Sequence, residues 1–259
     1  MFTLEYDADS RVLWGLFSYL GSASFTTTLL SEIITLERTL KIDSSGYLTV
    51  QDDRPVDYYV WSSQTPGIFS LGGDLEFFVK CIRSGDRESL LSYASQCIEL
   101  LYLRLCNYHS THLITVSLVQ GSALGGGLEA ALASDVIIAE EQAKLGFPEI
   151  DFHLFPGMGA YSVLFRRVGH QLAKKMIVSG DLYSASACFD MGVIDAVAPQ
   201  GGGRMALQNY TKEHQKNRNG LAAIFNARRR TLPITRRELM AITTHWVDTA
   251  LKLEDRDLR

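Results

Sequence analysis

Residues 119–135 read VQGSALGGGLEAALASD, and the fold turns on how that stretch is divided. Three consecutive glycines stand before a lone glutamate, Glu129, in a run otherwise made of alanine and leucine. The wider segment 113–139 is nearly free of charge and exceeds the ~20 apolar residues that span a bilayer. A carboxylate at the centre of such a span is costly in lipid. The segment divides better into a strand, a glycine turn, a helix beginning near Gly126 and a second strand. It is therefore read as buried core with no membrane span.

On such a helix the i+3 and i+4 neighbours of Glu129 are Leu132 and Ala133, so the carboxylate has no polar face to occupy. Burial disfavours its charged form and raises its pKa. That condition suits an acid or base near neutral pH; a structural glutamate held by backbone N–H groups or an arginine is the competing reading. Glycines at a strand-to-helix junction leave N–H groups free to face a site, and the helix N-terminus adds positive potential there. A tight turn with close packing is the plain alternative, and the spacing matches neither a dinucleotide loop nor a phosphate loop.

A second glycine turn, FSLGGDL (69–75), follows a strand and precedes a helical start. Gly72 and Gly73 offer another exposed N–H, and Asp74 suits a helix cap. Two such turns together supply the paired donors that an oxyanion hole needs. A second acid lies downstream in LGFPEIDFHLFPGMG (145–159), where Glu149 and Asp151 fall on one side of an extended stretch. The residue pattern alone does not choose between them.

Outward from this centre, strands and helices alternate. RVLWGLFSYLG (11–21) reads as a strand and 22–41 as a helix; YLTV (47–50) and VDYYVWSS (56–63) are further strands. A long helix from Arg87 to Cys106 repeats apolar residues on one face, and LITVSLVQG (113–121) is a strand buried on both sides. After Gly157 helices dominate, interrupted by a short strand (193–199) and a break at QGGG (200–203). The alternation indicates an α/β fold class.

The chain has 259 residues, 46% of them hydrophobic and 21% charged, long enough to bury about three quarters of its unfolded surface in one core. A net charge of −4 argues against nucleic acid as a partner. Cys81, Cys97, Cys106 and Cys188 form no C-x-x-C pair and read as reduced core residues of a cytoplasmic protein; the N-terminus lacks a secretory pattern. No G-x-S-x-G elbow is present. His109 and His112 read as a surface pair rather than a zinc site. Arg228 to Arg230, with Arg236 and Arg237, read as a solvated helix face, an acidic partner being the alternative.

Taken in order, SLGGDL, VQGSALGGGLEAALASDVIIAEE, FPEIDFHLFPGMGAYS and WVDTAL resemble the crotonase superfamily, the enoyl-CoA hydratase and isomerase group. Within it they resemble most the bacterial diffusible signal factor synthases. The similarity runs from about residue 12 to residue 254. It implies a crotonase fold, with a repeated ββα spiral core over 1–199 and a C-terminal helical region over 200–259 that closes the pocket and serves oligomerisation.

The same resemblance implies Glu129 and Glu149 as the catalytic pair, choosing Glu149 over Asp151, and the N–H groups of Gly73 and Gly126 as the oxyanion hole. Leu124, Met158 and Trp246 match positions lining the acyl pocket; ordinary core packing is the alternative for each. The implied reaction dehydrates a 3-hydroxyacyl thioester on acyl carrier protein to a cis-2-enoyl thioester. Hydrolysis then releases a cis-2-unsaturated fatty acid, such as cis-2-dodecenoic acid, for quorum sensing. No cofactor is implied beyond the carrier-protein or coenzyme A thioester itself. Acyl carrier protein, a signal sensor protein and further copies of the chain, as a trimer or pair of trimers, are the implied partners. The alternatives are an enoyl-CoA hydratase or isomerase of fatty-acid oxidation, and a protein acting mainly on the sensor.

Overall fold

In the computed structural model, which describes residues 1–258, β1 (Phe2–Asp7) and β2 (Val12–Phe17) open the chain as an antiparallel hairpin. The Asp7 carboxylate ties the turn between them by accepting from the Asp9 amide and the Ser10 hydroxyl. Helix α1 (Thr27–Glu37) begins where Thr26 Oγ1 accepts from the Leu29 amide. β3 (Lys41–Ile42), β4 (Leu48–Val50) and β5 (Arg54–Val56) form a small three-stranded antiparallel sheet. β6 (Tyr58–Ser63) then returns parallel to β2.

From here a ββα unit repeats. β6 and β7 (Ile68–Ser70) are followed by α2 (Leu75–Ser84) and α3 (Arg87–Leu105). β8 (Ile114–Val119) and β9 (Ser122–Leu124) are followed by α4 (Gly126–Leu132). β10 (Val136–Glu140) and β11 (Lys144–Gly146) are followed by a 3-10 turn (Pro148–Phe152) and α5 (Ala160–Val168). The first strand of each unit enters a six-stranded sheet of order β1-β2-β6-β8-β10-β13; the second enters a four-stranded sheet of order β12-β11-β9-β7. α6 (His170–Ser179), β12 (Leu182–Ser184), α7 (Ala185–Asp190) and β13 (Ala196–Ala198) complete both sheets. This is the crotonase fold, an α/β architecture.

The central strands β6, β8 and β10 are buried throughout and largely apolar, because both faces are covered. Ile114, Val116 and Leu118 of β8 pack with Leu207 and Ala222, which lie on α8 (Gly203–His214) and α9 (Arg218–Thr231). On the opposite face Leu113 and Val119 join the larger core. Arg104, fully buried near the end of α3, pins that helix to the sheet: Nη2 donates to the carbonyls of Tyr59 and Val116, and Nε to Ser134 Oγ. Its guanidinium sits 4.2 Å from the Trp61 ring.

α10 (Arg236–Ala250) packs along α3 and contributes Leu239, Trp246, Val247 and Ala250 to the larger core. No helix among the described residues is long and apolar enough to cross a membrane.

Candidate active site

The two glycine turns meet at the start of α4. Gly125, between β9 and α4, adopts φ 52° and ψ −122°, a combination that a side chain forbids. Gly72 has φ 94°; its amide donates to Ser70 Oγ, and its carbonyl accepts from the Phe25 amide. The turns touch so closely that a Cβ on Gly72 would lie 2.9 Å from Gly126 N, and one on Gly126 would lie 3.5 Å from Gly73 N. The amides of Gly73 and Gly126 therefore belong to one junction. Among the described residues neither donates to an acceptor. Gly127 serves packing, since a Cβ there would strike the Ser70 carbonyl oxygen at 2.2 Å.

Glu129 sits in the first turn of α4 and is 3% exposed. Its Oε1 accepts from the amides of Met158 and Ala160, each at 2.8 Å. Burial pushes the carboxyl up to about 7, against the pull of the two amides. Sequence reasoning placed this acid in a buried helix; the donors that hold it come from the FPGMGA segment and carry no side-chain signature.

Glu149 rides on the 3-10 turn. Its carboxyl abuts Gly125, where a Cβ would stand 2.5 Å from Oε1, and Oε2 is a buried acceptor with no partner among the described residues. Burial, with the charge of Glu129 as the second cause, pushes it up to about 8. The expectation that Glu149 and Asp151 share one side of an extended stretch is corrected by that turn. In a 3-10 turn each residue rotates about 120°, which sends Asp151 to the exposed surface beside Gly180.

Leu124 ends β9 immediately before Gly125 and is half-buried. Met158 is buried, with its amide on Glu129. Trp246 on α10 lies so close to Gly157 that a Cβ there would be 2.3 Å from its Cγ, and its ring meets Phe78 edge-on at 5.1 Å. Thr243 Oγ1 donates to the Gly157 carbonyl at 2.7 Å. The FPGMG and WVDTAL segments thus form one wall behind Glu129. Met158 and Trp246 are both packed into the core.

Chemically, two carboxyls of raised pKa beside two unpaired amides can move protons around a carbonyl whose oxygen the amides hold. The model of the enoyl-CoA hydratase/isomerase family matches residues 45–241 of the chain, a span that includes both glycine turns and both acids. The chain belongs to the enoyl-CoA hydratase/isomerase family.

Among its relatives in that family, the mitochondrial methylglutaconyl-CoA hydratase of Mus musculus is 31% identical over 161 residues, 62% of this chain and 49% of that protein. The 2,3-dehydroadipyl-CoA hydratase of Escherichia coli K12 is 42% identical over 84 residues, 32% of this chain and 33% of that protein. The matched stretches span about a third to a half of those relatives' lengths. The crystal structure of human mitochondrial delta3-delta2-enoyl-CoA isomerase shares the fold with a TM-score of 0.74 at 22% identity, covering 96% of this chain and 90% of that one.

Proposed function

We propose that the chain is a diffusible signal factor synthase, which dehydrates a 3-hydroxyacyl thioester on acyl carrier protein and then releases the cis-2-unsaturated acid. The observation that carries the reading is the meeting of Glu129 and Glu149 beside the unpaired amides of Gly73 and Gly126. The finer assignment is supported by the FPGMGAYS and WVDTAL segments, which lie against each other next to Glu129.

In dehydration one carboxylate takes the α-proton, and the electron pair moves onto the thioester oxygen, where two fixed N–H donors stabilise the enolate. The enolate then expels the β-hydroxyl, which leaves as water with a proton from the other carboxyl. Raised pKa values let the pair hold one proton between them near neutral pH. In hydrolysis a carboxylate takes a proton from water as that water attacks the thioester carbon. The tetrahedral oxyanion returns to the same N–H pair, and its collapse breaks the C–S bond, the departing thiolate taking the proton held by that carboxyl, so that thiol and free acid are released.

Purified protein incubated with 3-hydroxydodecanoyl carrier protein then yields free cis-2-dodecenoic acid, read by mass spectrometry. A second reading, water addition to a 2-enoyl-CoA, is favoured by the likeness to methylglutaconyl-CoA hydratase. An intact trans-2-enoyl thioester as the sole product supports that reading, and turnover of neither thioester contradicts both.

A further inference from the structure

A cavity of about 480 Å³ lies at the end of α4 opposite Glu129, between α5, the segment before β13, and α9 with the residues that follow it. Its volume suits a small molecule. Neither acid of the candidate active site lines it, and neither do Leu124, Met158 or Trp246.

Four guanidinium groups line this cavity, from Arg166, Arg167, Arg228 and Arg229. Arg166 is held at both terminal nitrogens by Glu238, and Arg167 pairs with Asp195. Arg228 and Arg229 both reach a single oxygen, Asp135 Oδ1. The other oxygen of Asp135 already accepts from Asn107 Nδ2 and from the Thr115 amide and hydroxyl. Four cations thus share three carboxylates, which leaves one positive charge over. Arg167, its side chain 10% exposed, also keeps a buried Nε without an acceptor among the described residues, as does Arg166. Burial and the neighbouring Arg228 hold Arg167 and Arg229 below the ordinary guanidinium range. Of the arginines read from the sequence as a solvated face, Arg228, Arg230, Arg236 and Arg237 are exposed, and Arg229 departs from it, drawn inward by the buried Asp135.

Asp135 and Asp195, each already paired with arginine, and Ser134 also line the cavity, and Leu132, Val163, Leu232 and Ile234 give it an apolar side. A guanidinium binds a carboxylate through two parallel charge-assisted hydrogen bonds, and the apolar side of the cavity suits an alkyl chain. We propose that this cavity is a second ligand site, built for a carboxylate on a short to medium apolar chain, whose charge completes the arginine cluster.

The test titrates full-length protein with octanoate by calorimetry at low ionic strength, with inorganic phosphate and octan-1-ol as separate probes. Saturable octanoate binding, one per chain and at least about tenfold tighter than either probe, is expected. Arg228→Gln weakens it about ten- to a hundredfold. That side chain is 44% exposed, and its loss leaves Asp135 paired with Arg229, so the variant keeps its fold, as its melting temperature checks. Leu232→Ser, at an exposed position, weakens octanoate and leaves phosphate unchanged. The proposal is overturned by the absence of saturable binding, by phosphate or octanol binding as tightly as octanoate, or by octanoate affinity that Arg228→Gln leaves intact.

Discussion

Gly125 and Glu149 are in direct contact: a Cβ on Gly125 would sit 2.5 Å from Glu149 Oε1 and 3.1 Å from its Cδ. The turn that frees the neighbouring amides therefore also makes room for the second acid. Gly125→Ala displaces that carboxyl and strains a backbone held at φ 52°, at a cost of about 1–3 kcal/mol. Thioester turnover falls at least tenfold by rough expectation, while far-UV circular dichroism keeps the native signature. Gly220→Ala, in α9 with no atom within 4 Å of the added carbon, is the control; it is neutral or stabilising by roughly 0.5–1 kcal/mol. Native turnover in Gly125→Ala contradicts the contact.

Three acids, Glu37 and Glu129 buried and Glu149 half-buried, set a pH dependence of stability. Burial pushes Glu37 and Glu129 up to about 7 and Glu149 up to about 8, from an ordinary value of 4.5. The folded chain therefore keeps protons that the unfolded chain releases within this window. Stability is greatest at its acidic end and falls as pH rises from about 5 to about 8. Glu37 Oε1 accepts from the hydroxyls of Tyr59 and Tyr108, a role that an amide oxygen also fills. Denaturant unfolding of Glu37→Gln across that range shows a shallower decline than wild type; an equal or steeper decline contradicts the assignment.

Trp246 closes the wall behind Glu129 and is 4% exposed. Trp246→Ala removes its packing against Phe78 and Gly157 and lowers stability by about 3–5 kcal/mol. Trp246→Phe retains most of it. If the indole borders the acyl chain, Trp246→Phe changes KM for long acyl thioesters more than for short ones. Equal changes at every chain length contradict that placement.

The central strands were legible because burial on both faces leaves runs free of charge and rich in β-branched and aromatic residues, as in β6 and β8. The cap at Asp74 and the bounds of α3 also follow local rules that need no tertiary information. The four-stranded sheet was not legible: β7, β9, β11 and β12 have three residues each, too few to show a period. Its pairing joins residues far apart in sequence. β1 carries an alternation, Phe2, Leu4 and Tyr6 against Thr3, Glu5 and Asp7, that passes for an acidic start.

Within the candidate site, Glu129 stood out as a carboxylate with no polar face. The choice of Glu149 over Asp151 came from family resemblance, since the pattern assumed extended backbone where a 3-10 turn forms. Arg104 carries no sequence signature, because a buried cation depends on acceptors supplied by distant elements.

The most direct measurement of the central claim compares kcat/KM for dehydration of a 3-hydroxydodecanoyl thioester by wild type, Glu129→Gln, Glu149→Gln and the double variant. Each single change is expected to lower the rate by roughly 10²–10⁴-fold. The double variant is then no slower than the worse single variant by more than about tenfold, because the two carboxyls act on one bound group. A single variant that keeps its rate within about threefold of wild type contradicts that claim.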